Sequence, residues 1–154
     1  MGFYAWRGAK TRLVRAGAGD LARFDGVHDD VFDGPLDADL LTSYLADPRL
    51  IIVVAVDNTQ MIGICSGMHY HHPDKPPQMW VNELGVASLW RRRGVATGLV
   101  RALADLGRTL VGPKLCAEIR VLADPANRAE GFYGRPGWRN EGRRLVMFTH
   151  ALDD

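Results

Sequence analysis

The sequence predicts an α+β (α/β) protein with a mixed β-sheet. A continuous β-branched run over Leu50–Val56 is typical of a buried central strand. Alternating apolar and polar residues mark further strands before and after this run. An amphipathic helical pattern over Thr97–Val111 separates two of the predicted strands. Because strands come first and a strand–loop–helix–strand unit follows, we expect a sheet with both antiparallel and parallel pairs.

One strand and two helices are predicted before the central strand. Thr11–Ala16 alternates polar and apolar residues and forms the first strand. A helical pattern follows over residues 20–47, and a Gly–Pro pair at residues 34–35 divides it into two helices. Asp20 and Asp37 are the expected N-caps of these helices. The apolar positions of the first helix are Leu21, Phe24, Val27 and Val31.

Four strands and one short helix complete the predicted elements around the long helix. A turn over residues 57–60 leads into Met61–Tyr70, which forms a hairpin with the central strand. In the strand Met79–Val86, we expect Gly85 to lie in a β-bulge. The remaining elements are a fifth strand, a short helix and a closing strand: Leu115–Leu122, Ala126–Tyr133 and Arg144–His150.

Length and composition predict a single domain over residues 1–154. Chains near this length usually build one core, and 47% apolar residues supply the material for it. The 19 basic and 18 acidic residues nearly cancel, which argues against a nucleic-acid partner. The longest apolar run is about seven residues, too short to cross a membrane. We therefore expect no nucleic acid and no membrane among its partners.

Cys65 and Cys116 lie in apolar stretches far apart in the sequence. Two isolated cysteines suit reduced, buried thiols better than a disulfide framework or a zinc site. The first residues contain no apolar segment of the signal-peptide type. A cytoplasmic location is expected on these grounds.

Three histidines cluster around the end of a predicted strand: His69, His71 and His72. Two of them are adjacent, and no cysteine or carboxylate lies at ligand spacing. No metal site is predicted, and these histidines are interpreted as loop or acceptor-site residues.

The segment over residues 82–97, NELGVASLWRRRGVAT, predicts an anion-binding site. A strand runs through an arginine-rich loop directly into a helix, whose first backbone N–H groups and dipole favour an anion. Gly94 allows a close approach of the backbone, and the small Ala96 leaves room at the first turn. Neither the Walker loop nor the dinucleotide fingerprint is present. The alternative is a solvated arginine run before an ordinary helix.

This segment resembles the phosphate-binding signature of the GNAT superfamily of N-acetyltransferases. The residues Arg91–Ala96 match the pattern Gln/Arg-x-x-Gly-x-Gly/Ala, whose amides hold the pyrophosphate of acetyl-CoA in that family. Downstream, Ala129, Phe132, Tyr133, Gly137 and Trp138 match a second family element. The resemblance implies a centrally splayed mixed sheet of six to seven strands with about four helices, and acetyl-CoA as co-substrate.

The resemblance also implies a set of cofactor-binding residues. Asn127 is included for the pantetheine arm, although the family's asparagine falls one residue earlier, at Ala126. The implied acetyl-CoA contacts are Leu84, Val86, Arg91, Arg92, Arg93, Gly94, Val95, Ala96, Thr97 and Asn127.

Two catalytic residues follow from the same resemblance. Glu83 occupies the strand position where the family places a general base, and a half-buried Glu with a raised pKa suits that role. Tyr133 matches the general acid that protonates the leaving thiolate. A backbone N–H near Leu84 or Val86, freed by the expected bulge at Gly85, is the candidate oxyanion donor. The alternatives are a solvent-facing strand residue for Glu83 and core packing for Tyr133.

Eight aspartates and a single basic residue, Arg23, lie between residues 20 and 47. An acidic segment of this kind is either a solvated surface or a wall that attracts a polycationic amine. Together with the motif, it resembles the aminoglycoside 3-N-acetyltransferases and implies antibiotic resistance. The candidate substrate-binding residues are Asp30, Asp33, Glu83 and Asp124.

Other acceptors and one other class of function stay open. The acceptor could instead be a different small amine, a polyamine or a protein N-terminus. A non-catalytic CoA-sensing domain would keep the phosphate loop but would not need Glu83 or Tyr133. Dimers are common in the family, so a homodimer is compatible with the sequence.

Overall fold

The computed structural model describes residues 11–111, 118–123, 129–142 and 147–149. Two compact units divide the chain, an N-terminal unit, Met1–Val121, and a C-terminal unit, Leu122–Asp154. The single-domain organisation stays a prediction. Within the described ranges, none of the helices combines the length and the apolar character needed to cross a membrane.

Five strands and three α-helices form the described structure. The strands are β1 (Thr11–Ala16), β2 (Leu50–Asp57), β3 (Gln60–Tyr70), β4 (Gln78–Val86) and β5 (Ile119–Val121). The helices are α1 (Ala38–Ala46), α2 (Val95–Val111) and α3 (Glu130–Tyr133). Short 3₁₀ turns lie at Leu21–Phe24 and Ser88–Trp90.

The predicted mixed sheet is confirmed, with strand order β1-β2-β3-β4-β5. The pairs from β1 to β4 are antiparallel, and β4 pairs with β5 in parallel across α2. The described residues hold fewer strands than the six to seven expected and fewer helices than the four expected. In the expected closing strand, Arg144–His150, residues 147–149 are not in a strand. Its other residues, 144–146 and 150, lie outside the described ranges.

The expected first helix of the acidic segment is wrong beyond its first turn. Only Leu21–Phe24 is helical, as a 3₁₀ turn. Downstream, the backbone N–H of His28 donates to the Met61 carbonyl, and Val27 forms a bridge with Met61. Pairing with the start of β3 therefore replaces the helical hydrogen bonds that the apolar spacing predicted. Phe24 and Val31 are still buried, so the apolar positions reach the core by another route.

The second predicted helix is confirmed as α1. The Asp37 carboxylate accepts hydrogen bonds from the backbone N–H groups of Asp39 and Leu40, as an N-cap does. The expected cap at Asp20 is wrong, because its carboxylate accepts from the N–H of Gly17 and pairs with Arg23 instead.

The helix α2 covers one face of the sheet. A Cβ at Gly63 would approach Leu99, and one at Gly67 would approach Leu103. Since successive side chains of a strand alternate between the faces, Ser66 of β3 points to the opposite face. We call this opposite face, which carries Ile52, Ser66 and Gly85, the acceptor face.

A β-bulge in β4 decides which face Glu83 occupies. Val81 pairs with Gly67, whereas Glu83 pairs with Ser66, so Asn82 is the extra residue. Without this extra residue, Glu83 would share the α2 face with Val81. The bulge instead places Glu83 on the acceptor face beside Ser66. The expectation of a bulge at Gly85 is wrong, because pairing is regular from Glu83 to Val86.

Gly85 is required for a close backbone approach. A Cβ at this position would collide with the carbonyl oxygen of Val31, which crosses the acceptor face. We expect Gly85→Ala to lower the free energy of unfolding by about 1–3 kcal/mol, as overpacking does. Gly34→Ala is the matched control, because open space surrounds that position. Denaturant titrations measure both, and equal stability of the two variants would contradict the close approach.

Cys65 confirms the expected buried thiol. It is a free cysteine with no exposed surface, and burial raises its pKa to about 12. Cys116 lies outside the described residues.

Candidate active site

The loop between β4 and α2 has the backbone of an anion site. Arg92 and Gly94 both adopt positive φ angles, 64° and 83°. The carbonyl of Gly94 accepts the hydrogen bond from the N–H of Gly98, so Gly94 is the N-cap of α2. The glycine that the sequence placed at the helix start therefore fills a position that favours glycine.

The first turn of α2 can hold a diphosphate. The backbone N–H groups of its first residues have no partner within a helix, and the dipole of a 17-residue helix lies behind them. Arg92 and Arg93 are exposed immediately before this turn. Val95 is buried and anchors the turn to the core, while Ala96 and Thr97 are half-buried. Amides and exposed guanidinium groups thus converge where the sequence predicted phosphate binding.

Arg91 differs from its two neighbours. Its Nε donates to the carbonyl of Val86 over 2.8 Å, and its guanidinium lies 4.0 Å from the Asp30 carboxylate. Arg91 therefore holds the loop against the end of β4, although its side chain is exposed like those of Arg92 and Arg93.

Asp30 joins the acidic segment to this loop. One carboxylate oxygen accepts from the backbone N–H of Ser88 over 2.7 Å, and the other lies 2.6 Å from Nδ1 of His28. The hydrogen bond from Ser88 is the main reason why the pKa of Asp30 lies below its ordinary value. We call the group formed by Asp30, His28, Ser88 and Arg91 the Asp30 clasp. The sequence assigned Asp30 to acceptor binding and gave no role to His28 or Ser88.

Trp90 adds a second attachment for the same loop. Its indole Nε1 donates to the Asp57 carboxylate over 3.1 Å. Its ring also contacts His28 edge-on, with centroids 5.7 Å apart. The loop is therefore fixed both to the end of β2 and to the acidic segment.

Glu83 has the electrostatic environment expected of a base. Its side chain is half-buried, and this burial is the main cause of a pKa above the ordinary value for Glu. The negative charge of Asp33 raises the pKa further. The structure thus brings Glu83 and Asp33 together, two residues that the sequence placed at the reaction and acceptor sites.

The backbone amides of Leu84 and Val86 point away from β3. The N–H of Ala87 donates to the Ile62 carbonyl, so these two residues form a hydrogen-bonded pair. Such pairs alternate along an antiparallel ladder, and the regular register makes 85–64 and 83–66 the next two. Leu84 and Val86 therefore direct their amides to the other edge of β4. There, among the described residues, pairing with β5 covers only Met79–Val81. Strand alternation, rather than the expected bulge at Gly85, directs these amides to the edge of β4 where the sequence predicts oxyanion and pantetheine donors.

Tyr133 lies in the C-terminal unit at the end of α3. Its half-buried ring contacts Phe132 and Trp138 edge-on, with centroid distances of 5.0 and 4.8 Å. A positive φ of 101° at Gly137 precedes Trp138 in the turn. The aromatic element expected from the sequence is therefore formed. Asn127 and Asp124 lie outside the described residues.

Half of the aspartates in the acidic segment are committed to local structure. Asp47 pairs with Arg49, which lowers the pKa of Asp47 to about 2. Asp20, Asp30 and Asp37 are engaged as described above. The four whose exposed carboxylates remain for an acceptor are Asp25, Asp29, Asp33 and Asp39.

The histidine cluster is arranged by local contacts. His72 pairs with Asp74, and Nε2 of His69 lies 3.4 Å from the Pro48 carbonyl. The rings of His69 and His71 meet edge-on at 6.3 Å. In the part of the chain that the structure describes, no three His, Cys, Asp or Glu side chains form a group that could hold a metal ion.

Comparison with solved structures shows the same fold in several acetyltransferases. An aminoglycoside acetyltransferase, meta-AAC0020, from an uncultured soil metagenomic sample, solved with sisomicin, has a TM-score of 0.76 and 19% identity, covering 94% of this chain and 97% of that chain. Aminoglycoside N-acetyltransferase AAC(6')-Iy, solved with CoA, has a TM-score of 0.75 and 19% identity, covering 96% and 100%. The 6'-N-acetyltransferase AAC(6')-Ih from Acinetobacter baumannii has a TM-score of 0.71 and 17% identity, covering 93% and 99%.

Comparison of the sequence with family models and with curated proteins gave one assignment. A search among curated proteins gave no match. The model of the acetyltransferase (GNAT) family matches residues 21–138, which include the acidic segment, β4, the phosphate loop and the aromatic element. The chain therefore belongs to the acetyltransferase (GNAT) family, and its activity is acetyl-CoA-dependent N-acetyl transfer.

Proposed function

We propose that this enzyme acetylates a primary amine of an aminoglycoside antibiotic and thereby confers resistance. The observation that carries the proposal is the position of Glu83 on the acceptor face, at the end of a strand that leads into the phosphate loop and near enough to Asp33 for its negative charge to raise the pKa of Glu83. Two carboxylates at the reacting centre suit an acceptor with several ammonium groups. Neighbours of the same fold that act on aminoglycosides support this substrate class.

The phosphate loop would bind and orient acetyl-CoA. The amides of Gly94, Val95, Ala96 and Thr97 would receive the pyrophosphate oxygens, and Arg92 and Arg93 would neutralise their charge. The small side chain of Ala96 keeps the first turn accessible. Arg91 and the Asp30 clasp would act indirectly, by holding the loop in this conformation.

Three groups would then carry out the acetyl transfer. Glu83 accepts the proton of the acceptor ammonium, so that the neutral amine can form the new C–N bond. The amides of Leu84 or Val86 donate to the thioester oxygen as it gains negative charge. Tyr133 donates its phenolic proton to the sulfur as the C–S bond breaks. The nitrogen loses its second proton as the amide forms, and this proton replaces the one that Tyr133 gave to the sulfur. The products are the acetylated amine and the free thiol of CoA.

The acidic groups would select the acceptor by charge. Asp33 is near enough to Glu83 to act on it electrostatically and would contact a second ammonium group of the substrate. The family resemblance implies a similar contact for Asp124. The 3-N amine is the acetylation position that the sequence resemblance favours, and the 6'-N amine is the alternative.

A panel of acceptors assayed for thiol release tests this function. We expect aminoglycosides to be acetylated faster than monoamines, linear polyamines or peptides, and NMR of the product distinguishes 3-N from 6'-N acetylation. Thiol release only with peptides or linear polyamines would contradict the aminoglycoside proposal. CoA binding without thiol release from any acceptor would favour a CoA-sensing domain instead.

Asp33→Asn should separate the electrostatic role of Asp33 from the chemistry. We expect a higher KM for a polycationic amine with kcat nearly intact, as when uniform binding is lost. The rise should shrink with salt, because screening lengths fall from about 10 Å at 0.1 M to about 3 Å at 1 M. Asp105→Asn is the matched control, since Asp105 lies in α2, outside the acidic segment, and pairs with Arg108. Equal effects of both variants, or equal effects on polyamines and monoamines, would make the acidic segment a solvated surface.

A further inference from the structure

Tyr44 is a half-buried tyrosine whose hydroxyl oxygen is inaccessible to solvent. It lies in the second turn of α1, and its hydroxyl is close to Ser66 and Asn82 without a hydrogen bond of normal geometry to either. A buried hydroxyl without a well-formed hydrogen bond destabilises the folded state, so such a group calls for an explanation. The reaction described above does not use it.

Tyr44 lies over a row of three paired residues on neighbouring strands, and Glu83 is the last of the three. Ile52 of β2 pairs with Ser66 of β3, and Ser66 pairs with Glu83 of β4, so these three side chains share the acceptor face. Tyr44 and Ile52 line the same cleft, which places the ring of Tyr44 over this face.

The groups around the hydroxyl are polar or charged. Ser66 and Asn82, the bulged residue, lie beside it, and Glu83 is near enough for its charge to act on the phenol. Burial is the main reason why the pKa of Tyr44 is raised, and the negative charge of Glu83 raises it further. The phenol therefore keeps its proton and is a hydrogen-bond donor at all physiological pH values.

We propose that Tyr44 is a positioning residue, whose buried hydroxyl donates a hydrogen bond to the charged Glu83 carboxylate and fixes it on the acceptor face. The inference rests on the proposed role of Glu83 as the general base. Turned toward Tyr44, the Glu83 carboxylate would accept this hydrogen bond with one oxygen and leave the second oxygen for the acceptor ammonium. The bulge at Asn82 makes this possible, because it turns Glu83 to the face that α1 covers.

The hydrogen bond would balance two effects that oppose ionisation of Glu83. Burial and the negative charge of Asp33 both favour the protonated carboxyl, which cannot act as a base. A donor on the charged form favours ionisation. Loss of the Tyr44 hydroxyl should therefore raise the pKa of Glu83 and leave less of the base ionised at neutral pH.

Titration of Tyr44→Phe tests the proposal directly. With ¹³C-labelled glutamate carboxyls followed by NMR, we expect the pKa of Glu83 to rise by about half a unit or more in this variant. The acidic limb of kcat/KM should move to higher pH by the same amount, while the affinity for CoA stays unchanged. Tyr70→Phe is the matched control, because it removes a tyrosine hydroxyl bonded to Gln78 on another part of the sheet.

The outcomes separate this inference from the proposed function. An unchanged Glu83 pKa in folded Tyr44→Phe would overturn the positioning role, even if the variant is less stable. A raised pKa that the acidic limb does not follow would support the positioning role and overturn Glu83 as the base. If Tyr44→Phe does not fold, the ¹³C signal of Tyr44 in the unsubstituted enzyme provides the test. This signal should shift as Glu83 titrates, and the shift should vanish in Glu83→Gln. A Tyr44 signal that does not shift in the unsubstituted enzyme would overturn the proposal.

Discussion

Replacement of Glu83 by Gln is expected to lower kcat/KM by about 10²-fold or more at pH 7, the range typical of a lost general base. The side-chain amide of Gln has nearly the same shape as the Glu carboxylate and can still accept a hydrogen bond. It cannot take the proton of the acceptor ammonium. The deficit should shrink at high pH, where the amine is already neutral. Rates measured from pH 5 to pH 10 with saturating acetyl-CoA would show this convergence.

The acidic limb of the native enzyme gives a second measurement of the same role. Because burial and Asp33 raise the pKa of Glu83, activity should be lost as the pH falls through a value above the ordinary range of Glu, about 4.3. Glu118→Gln is the matched control, since Glu118 pairs with Arg120 at the start of β5. A deficit in Glu83→Gln that is the same at every pH would mean that Glu83 positions the acceptor and removes no proton.

Gly94→Val is expected to weaken CoA binding by at least about tenfold, or about 1.4 kcal/mol. The φ of 83° at Gly94 is strained for any residue with a Cβ and especially for a β-branched one. The substitution would both change the backbone at the N-cap of α2 and place methyl groups beside the amides that would receive the pyrophosphate. Calorimetric titration with CoA measures the loss.

Gly142→Val controls for backbone strain alone. Gly142 also has a positive φ, 66°, but open space surrounds it. We expect this variant to lose stability and to keep its affinity for CoA. Unchanged CoA affinity in a folded Gly94→Val variant would exclude the α2 N-terminus as the phosphate site.

The elements with a strong local pattern could be predicted from the sequence. The alternation in Thr11–Ala16 and the apolar run starting at Leu50 gave strands with almost the observed bounds. The N-cap at Asp37 and the glycine at position 94 depend on backbone geometry within a few residues, and both were placed correctly. The first helix failed because Val27 pairs with Met61, a distant partner that no local spacing reveals.

The site could be predicted as a set of residues, but not as an arrangement. The motif pointed to Glu83, yet the face that Glu83 occupies depends on the extra residue Asn82, and a bulge in an apolar strand leaves no reliable local signal. Asp30 was assigned to the acceptor because of its charge. Its hydrogen bond with Ser88 joins segments 58 residues apart, so only the folded chain shows it.

The Asp30 clasp would link the two proposed substrate sites thermodynamically. Asp30 bonds to the loop that would receive the phosphates, and Asp33, three residues further on, acts on Glu83. Phosphate binding that orders the loop would therefore also order the acidic segment, which faces the amine. Linkage of this kind is reciprocal, so a factor by which CoA changes the affinity for the amine must equal the factor by which the amine changes the affinity for CoA. When the coupling is positive, such an enzyme favours the ternary complex with acetyl-CoA and amine over either binary complex. Cleavage of the thioester by water in the absence of an acceptor is then disfavoured.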